Sequence, residues 1–309
     1  MKLKLQARNT ETIRTTLSLV SSLRKFVVLR FTPEKLIVIS VHPTAIVPEP
    51  QAWCKLNVKA VFDSIEIQSL HENVISLEVN IDLFLQTLRN YDKASSDVLN
   101  IRLQKKDSNG EEGSSGSSGR NASLALFYTN TSVGMRPVNH TFKIPVKILK
   151  SAGSEYVEPQ ISDVDLMLKL PQHFSGAFRR LDKFDSNQLV KIQAHGKDGG
   201  SIRFVVDQEN KIKVIIRWNS KLEIYNPADI GEGESLRSTI DHSQLGQNEE
   251  HDILVHIRDL TMASKIVSTC QNVIFLMSSN RACVVHGLLK DSDDVEVVYY
   301  IMAARYDDD

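Results

Sequence analysis

The sequence predicts an α+β fold in which one β-α-β-β-β-β-α-β-β-β unit occurs twice in tandem. Three observations predict it: many short runs of alternating apolar residues, four segments with apolar residues at helical spacing, and short sequence motifs that occur in both halves. Leu-Lys-Leu occurs at 3–5 and again at 168–170, each time before a predicted helix. Those helices end as LRKF at 23–26 and as LDKF at 181–184. A tandem duplication accounts for this repetition.

The first half opens with a strand, because Leu3 and Leu5 alternate with lysines. Asn9 or Thr10 then caps a first helix whose apolar residues recur every three or four positions as far as Leu23. Residues 26–40 form two β-rich runs around Thr-Pro-Glu and predict a hairpin. More strand follows, then a second helix over 82–93 and three further strands.

The middle of the chain predicts two polar or extended segments. Residues 108–119 are rich in Gly and Ser, and we interpret them as the flexible tip of a hairpin or as an artificial insertion. Residues 142–149 alternate as a strand and lead into an extended stretch with Ser151, Gly153 and Pro159. We therefore expect a first domain over 1–149, a connector over 150–162 and a second domain over 163–309.

The second half repeats the order of elements. A strand before Pro171 leads into a third helix that begins near this proline, and three strands follow. Residues 226–250 are polar and acidic, and we interpret them as an insert between strands. A strand near 251–257, a fourth helix and three strands complete the copy.

Composition and charge exclude several classes of protein. The 309 residues are 41% hydrophobic and 24% charged, and no apolar run approaches the roughly eighteen residues of a membrane span. The start lacks the apolar core of a secretory signal, so we expect a protein that folds inside the cell and has no membrane partner. Cys54, Cys270 and Cys283 lie too far apart for a zinc motif, and we expect buried thiols, with no metal and no cofactor.

The overall charge of −1 hides an imbalance between the halves. Residues 1–150 hold 20 Lys and Arg against 13 Asp and Glu, a net charge of +7. The remaining residues hold 17 against 25, a net charge of −8. One part of the molecule can therefore face a polyanion while another faces a different protein.

Two copies of this unit joined by a mid-chain connector resemble the DNA sliding-clamp (PCNA-like) fold. The closest resemblance is to the Hus-one/Mec-three type subunit of the heterotrimeric DNA-damage checkpoint clamp, the nine-one-one complex. The residues that carry it are MKLKL at the start, SLRKFVVLRFTPEKLIVIS at 22–40, WCKL at 53–56, FKIPVKIL at 142–149, EPQISDVDLMLKLP at 158–171 and VEVVYYIMA at 295–303. Their order and spacing, rather than any one motif, make the resemblance specific.

The resemblance implies a ring of three subunits in which sheets lie outside and helices line a hole around duplex DNA. Because a clamp must slide, its contacts with phosphates are independent of base sequence. We expect basic residues on the outward faces of the four helices to supply this attraction. The expected DNA-facing residues are Arg14, Arg24, Lys25, Arg89, Lys93, Arg179, Arg180, Lys183, Arg258 and Lys265.

The resemblance also implies partners and interfaces. The partners are two other checkpoint-clamp subunits, of the Rad-nine/Ddc-one and Rad-one/Rad-seventeen types, an alternative clamp loader, and double-stranded DNA in the nucleus. Unpaired strand edges invite pairing, and the expected edges are 142–149 in the first half and 211–219 in the second. The expected interface residues are Phe142, Ile144, Val146, Ile148, Val214 and Ile216. Tyr156 and Val157 of the connector are candidates for a peptide pocket, or simply part of a link between domains.

Three alternatives stay open at this stage. An enzyme is disfavoured, because no nucleophile elbow, phosphate-binding loop or metalloprotease motif occurs, and His195, His256 and His286 fit ordinary structural positions. A scaffold that assembles with partners without contacting DNA has the same fold. A PCNA-like replicative processivity clamp would instead form a homotrimer.

Overall fold

The structure, a computed structural model, describes most of the chain and divides it into two compact units. The described residues are 1–41, 49–94, 96, 98–105, 121–130, 136–149, 156–161, 163–197, 199–208, 211–225, 250–290 and 294–304. Unit 1 consists of Met1–Ser40 and Cys54–Val157, and unit 2 of Val41–Trp53 and Glu158–Asp309. The predicted Gly/Ser segment at 108–119 and the insert at 226–249 lie outside the described residues, as do connector residues 150–155.

Unit 1 combines an antiparallel sheet with two long helices and one short helix. Its strands are β1 (Lys2–Ala7), β2 (Phe26–Phe31), β3 (Lys35–Ser40), β4 (Gln51–Asn57, which enters the unit at Cys54), β5 (Phe62–Gln68), β6 (Ile75–Asn80), β7 (Leu99–Lys105), β8 (Asn121–Asn130) and β9 (Val138–Ile148). Its helices are α1 (Thr10–Ser21), α2 (Val58–Val61) and α3 (Ile81–Lys93). The strands follow the order β4-β3-β2-β6-β9-β8-β7-β1-β5.

Side-chain caps fix where the long helices of unit 1 begin. The Asn9 side chain accepts a hydrogen bond from the Thr12 backbone N–H at 3.0 Å, as predicted for α1. The Asn80 side chain does the same for the N–H of Asp82 at 3.1 Å, at the start of α3. Each cap satisfies a donor that the first helical turn would otherwise leave without a partner.

The helices of unit 1 cover one face of its sheet. The ring of Tyr91 on α3 meets the ring of Tyr128 on β8 edge to face, with centroids 5.2 Å apart. On the same side of β8 and β9, Leu124 and Ile144 are buried. Side chains alternate along a strand, so the next residues, such as Lys143, lie on the opposite, solvent-facing side.

The described part of unit 2 contains two sheets, two α-helices and two short 3₁₀ segments. Its strands are β10 (Leu166–Leu170), β11 (Leu189–His195), β12 (Ser201–Gln208), β13 (Ile212–Arg217), β14 (Glu223–Ile224), β15 (Glu250–His256), β16 (Cys270–Ser278), β17 (Ala282–Leu289) and β18 (Val295–Met302). Its helices are α4 (Ser175–Arg179) and α5 (Ile257–Thr269), and 3₁₀ segments at Gln172–Phe174 and Leu181–Lys183 flank α4. Within the unit the strands follow the orders β14-β10-β16-β17-β18 and β13-β12-β11-β15.

Aromatic and aliphatic side chains build the core of unit 2. Phe174 and Phe178 meet edge to face with centroids 5.3 Å apart, and Phe178 contacts the ring of Phe204 on β12 at 5.4 Å. Each of the three is at most 2% exposed. Burial of rings of this size contributes strongly to stability, and it holds the segment around α4 against the sheet.

The described elements correct the predicted unit in three respects. Five strands rather than four separate the long helices in each unit, because the prediction missed the largely exposed β5 and the two-residue β14. The first helix ends at Ser21 rather than near Lys25. The third helix is interrupted: Phe174 and Arg180, which precede α4 and the second 3₁₀ segment, offer no side-chain cap, and Gly176 lowers helix propensity.

Among the described residues, none of the helices is long and apolar enough to cross a membrane.

Candidate nucleic-acid interface

The basic residues of α1 and α3 differ in how they are engaged. Arg14 on α1 forms an ion pair with Asp92 on α3, and it lies 4.0 Å from Glu11 one turn earlier. Arg89 and Lys93 on α3 are exposed. Arg14 therefore links two helices of unit 1, and its charge is largely neutralised by these two acids.

Arg24 and Lys25 do not lie on a helix. Both follow the end of α1, in the turn that leads into β2. Lys25 is exposed, whereas Arg24 is half-buried. The prediction that placed them on the first helix was wrong, because the apolar spacing continues to Leu23 although the backbone leaves the helix at Ser22.

The segment around α4 carries the densest group of exposed cations on the helices. Arg179 ends α4, Arg180 follows it, and Lys183 lies in the second 3₁₀ segment. All three side chains are exposed. Their backbone is held against the core, because Phe178, which precedes Arg179, and Leu181, which follows Arg180, are buried. The short helical turns therefore project three cations outward from a fixed apolar base.

Helix α5 packs beside α4 and adds two further cations. The Ser264 hydroxyl donates to the Ser175 carbonyl at 3.3 Å, which joins the two helices. Lys265 is exposed. The Arg258 guanidinium is also exposed, but it donates to the Asn187 side chain at 3.2 Å and lies 3.6 Å from the Asp259 carboxylate. Lys265 is thus the more available of the two for a phosphate.

Helix charges are unequal in the two units. In α1, Glu11 cancels Arg14, and in α3 the two cations are balanced by Asp82 and Asp92. Residues 172–183 carry three cations and one acid, a net charge of +2, and α5 carries two cations and one acid, a net charge of +1. The helices of unit 2 are therefore the more basic, although the second half of the chain is acidic as a whole.

Strand β13 is an edge of its sheet, as predicted. It pairs with β12 and ends the order β13-β12-β11-β15. Val214 is half-buried and Ile216 is buried, so these two predicted interface residues face the core rather than solvent. The exposed apolar side chains of this strand are Ile212 at 58% and Ile215 at 44%.

Strand β9 is an open edge over part of its length. Its last residues pair with β6, where Val146 lies opposite Val79 and Ile148 opposite Leu77, while β8 flanks the other side. The prediction that all of 142–149 forms an edge was wrong for this end. Residues 138–145, which include Phe142 and Ile144, pair only with β8 among the described strands. Phe142 is half-buried and stacks with Tyr128, with centroids 6.0 Å apart.

The two connector candidates have different environments. Tyr156 is only 5% exposed, and its backbone carbonyl accepts a hydrogen bond from Arg30 on β2 at 2.9 Å. Val157 is 75% exposed. A peptide that docks here would meet Val157 directly, whereas Tyr156 is already packed within unit 1.

Several titratable side chains are buried within the sheet strands of unit 2. His286 on β17 and Glu296 on β18 are diagonal neighbours across the strand pair, both buried, with a nitrogen-to-oxygen distance of 2.9 Å. Burial raises the pKa of the Cys270 thiol to about 12 and that of Cys283 still further. Among the described residues, no group of three or more His, Cys, Asp or Glu side chains is placed to hold a metal ion.

Comparison with known proteins identifies relatives over the whole length. The family model described as "Hus1-like protein" matches residues 1–305. The DNA damage checkpoint control protein MEC3 of Eremothecium gossypii is 24% identical, covering 99% of this chain and 100% of the relative. The checkpoint protein hus1 of Schizosaccharomyces pombe is 27% identical, covering 97% of this chain and 98% of the relative.

A solved structure confirms the fold class. The proliferating cellular nuclear antigen of Entamoeba histolytica is similar with a TM-score of 0.65 over 98% of this chain and 99% of the other. Its sequence identity is 10%, so this likeness concerns the fold alone. The α+β sliding-clamp fold expected from the sequence is therefore correct.

Proposed function

Because the chain belongs to the Hus1-like protein family, we propose that it is a non-catalytic subunit of a heterotrimeric DNA-damage checkpoint clamp. The clamp encircles duplex DNA at recessed junctions and serves as a platform for activation of a checkpoint kinase and for repair factors. Its partners are two further clamp subunits, of the Rad-nine/Ddc-one and Rad-one/Rad-seventeen types, and a clamp loader. It acts in the nucleus.

The observation that carries the proposal is the presence of exposed cations on the helices of each unit of a clamp fold. Arg179, Arg180 and Lys183 project from a buried apolar base, and Arg89 and Lys93 project from α3. Cations of this kind attract phosphates without reading bases. They also exchange contacts readily, because each exposed ion pair with a phosphate is weak on its own. Attraction without fixed contacts is what movement along DNA requires.

Assembly of the ring follows from the open strand edges. Among the described strands, β13 pairs only with β12 and residues 138–145 of β9 pair only with β8, and apolar side chains such as Ile215 and Val138 are exposed on them. Edges of this kind pair with a strand of another chain. We place the two partner subunits at these two edges.

Charge reversal of Arg179 and Arg180 tests the contact with DNA. The variant Arg179→Glu/Arg180→Glu is assembled with both partner subunits and loaded on circular and on linear duplex DNA. We expect retention on circular DNA to fall by about tenfold at about 150 mM salt, because two cations become anions where phosphates pass. The salt dependence of retention also becomes weaker, since fewer counterions are released.

Two further variants make the experiment decisive. Arg89→Glu/Lys93→Glu changes the charge by the same amount on α3, whose charges already balance, and we expect a smaller loss. Lys35→Glu/Lys59→Glu alters exposed lysines on β3 and α2, and we expect retention within about twofold of the unmodified clamp. Unchanged retention in the Arg179/Arg180 variant would favour a scaffold that assembles without touching DNA. Self-assembly into a homotrimer would favour a replicative clamp instead.

A further inference from the structure

A line of cations crosses the sheet of unit 1 on its solvent-facing side. Lys4 on β1 lies opposite Arg102 on β7, Arg102 lies opposite Ala125 on β8, and Ala125 lies opposite Lys143 on β9. Residues directly opposite each other on neighbouring strands share a face. The three cations are therefore aligned across four adjacent strands, and all three are exposed.

Two more lysines widen this line into a patch, which we call the outer basic face: Lys2, Lys4, Arg102, Lys143 and Lys147. Lys2 lies two residues before Lys4, and Lys147 lies four residues after Lys143, so each has the same strand parity as its neighbour. The row that joins Arg102 to Lys143 crosses β8 at Ala125, and Phe127 lies two residues further along β8. Ala125 is fully buried, and the Arg102 guanidinium lies 4.7 Å from the centre of the Phe127 ring.

Acidic side chains neutralise only part of the positive charge of the outer basic face. Glu66 on β5 forms ion pairs with Lys2 and, at 3.5 Å, with Lys4. These lysines lower the pKa of Glu66, mainly through the hydrogen bond from Lys2, so the carboxylate is ionised. Glu78 on β6 lies opposite Lys147. Five cations and two acids leave a net charge of +3 on this face. Across the described part of the chain, Arg102, Lys143 and Lys147 form no ion pair with an acid.

The outer basic face lies on the side of the sheet away from the helices. Leu124 and Ile144, which alternate with Ala125 and Lys143, are buried on the helix side. Under the proposed function the helix side faces duplex DNA, and one duplex does not reach both sides of the same sheet. The anion that matches the outer basic face therefore belongs to another molecule.

We propose that the outer basic face is a docking site for an extended acidic segment of a partner protein. This inference rests on the proposed function only for its choice of protein over DNA. Alternate side chains of an extended peptide lie about 6.8 Å apart, which is the spacing of Lys2 and Lys4 along β1, and neighbouring strands are about 4.8 Å apart. Carboxylates on every second residue can therefore meet cations along or across the strands. Charge complementarity of this kind accelerates encounter and sets orientation.

A synthetic peptide tests the docking site directly. The probe is a fluorescein-labelled peptide of twelve residues with alternating Glu and Ser, and the matched probe replaces Glu by Gln. Binding to the assembled clamp is followed by fluorescence anisotropy at about 50 mM and about 300 mM salt. We expect the Glu peptide to bind with an affinity that falls with salt, and the Gln peptide to bind at least about tenfold more weakly.

Charge reversal on the outer basic face, compared with charge reversal at other exposed lysines, tests where the acidic peptide binds. We expect Lys4→Glu/Arg102→Glu/Lys143→Glu to weaken peptide binding by about tenfold or more and to leave retention on circular DNA within about twofold. The control Lys35→Glu/Lys59→Glu/Lys197→Glu makes the same change in net charge at exposed sites elsewhere and is expected to keep peptide binding. Circular dichroism shows whether each variant is folded.

The outcomes separate this inference from the proposed function. Equal losses of peptide binding in the two triple variants, or no preference for Glu over Gln, overturn the docking site. A large loss of DNA retention in the Lys4/Arg102/Lys143 variant also overturns it, because the face would then be a DNA contact. Failure of the Arg179/Arg180 test bears on the proposed function and leaves the peptide measurements valid.

Discussion

At the scale of single residues, Asp259 is a carboxylic acid whose burial disfavours its charged form. It lies in the first turn of α5 and is only 8% exposed. Burial raises its pKa, and the neighbouring Arg258 offsets part of this effect. A raised pKa means that the fold favours the protonated carboxyl. Ionised Asp259 therefore destabilises unit 2 at pH values above its pKa in the folded chain, and this penalty vanishes below its pKa in the unfolded chain.

Asp259→Asn is expected to stabilise the protein at neutral pH. Removal of the buried charge raises the free energy of unfolding by about 1 kcal/mol and the midpoint by roughly 2–4 °C. The gain shrinks as the pH falls through the folded pKa toward the unfolded pKa of about 4, because the carboxyl then becomes protonated in the folded and finally in the unfolded chain. Thermal melts from pH 4 to pH 8 measure it. The exposed Asp182→Asn serves as the control, and a gain that is constant with pH would contradict the assignment.

Residue-level prediction succeeded where the signal is local and failed where it is not. Asn9 or Thr10 was expected to cap α1, and Asn9 does so, because a cap acts over three residues. The ion pair of Arg14 joins residues 78 positions apart, which no spacing rule reveals. The alignment of Lys4, Arg102 and Lys143 depends on strand register, and alternation predicts only which face each residue shares within its own strand.

At the scale of elements, β16 and β17 show how a sheet accommodates an irregularity. The register between them shifts between Gln271 and Ile274, and Asn272 has a positive φ of 49°. Opposite this bulge, Gly287 on β17 has no room for a side chain. A Cβ placed there would lie 2.9 Å from the Cys270 Cβ and 3.2 Å from the Val273 Cγ2. Glycine is therefore the residue that lets β17 lie against the bulge.

Gly287→Ala is expected to lower the free energy of unfolding by about 1–3 kcal/mol, because backbone-linked atoms of β16 must shift to admit the methyl group. Urea unfolding followed by circular dichroism measures the change. Gly176→Ala on α4 is the matched control, since a Cβ there meets nothing within 4 Å. That substitution is expected to be neutral or stabilising. Equal effects of the two substitutions would contradict the steric explanation.

Element-level prediction followed the strength of each pattern. The hairpin at 26–40 is confirmed as β2 and β3, and the helix predicted over 82–93 is α3. The third helix was predicted as one piece because apolar spacing does not record a change from α to 3₁₀ geometry. Strand β5 was missed because its exposed polar residues obscure the alternation of Ile65 and Ile67.

At the scale of the whole molecule, the backbone of β13 allows a direct test of the proposed assembly. The Trp218 N–H donates to the Ile202 carbonyl at 3.1 Å, so hydrogen-bonded pairs with β12 recur at every second residue. By this alternation the N–H of Ile215 points away from β12, toward the open side. A partner strand at this edge would accept a hydrogen bond from it.

Ile215→Pro tests that pairing without breaking the bonds to β12. We expect assembly with the partner subunits to weaken by about tenfold or more, because proline removes the outward donor. Ile215→Ala keeps the N–H and loses only the side chain, so we expect a smaller effect. Size-exclusion chromatography of the co-expressed subunits at micromolar concentration measures both. Undiminished assembly of the proline variant would show that the partners bind elsewhere.

Whole-chain prediction depended on order more than on chemistry. The clamp fold was predicted from a resemblance carried by several sequence segments in a fixed order, and the repetition of strands and helices in the two halves agreed with it. The net charges of +7 and −8 of the two halves do not indicate which helices are more basic. The first half of the chain is the basic one, but the helices of unit 2 carry the larger positive charge. Net charge sums every face of a domain, whereas a ligand meets only one.

The open edge of β13 has a consequence for the cell that synthesises this protein. Ile212 and Ile215 of this strand are exposed, and among the described strands its outward backbone N–H and C=O groups pair with no other strand. A strand of this kind tends to pair with a similar strand of another chain. Synthesis in excess of the companion subunits therefore yields orphan chains prone to self-association. Under the proposed assembly, synthesis of this chain in proportion to its companion subunits, or prompt degradation of the surplus, limits this self-association.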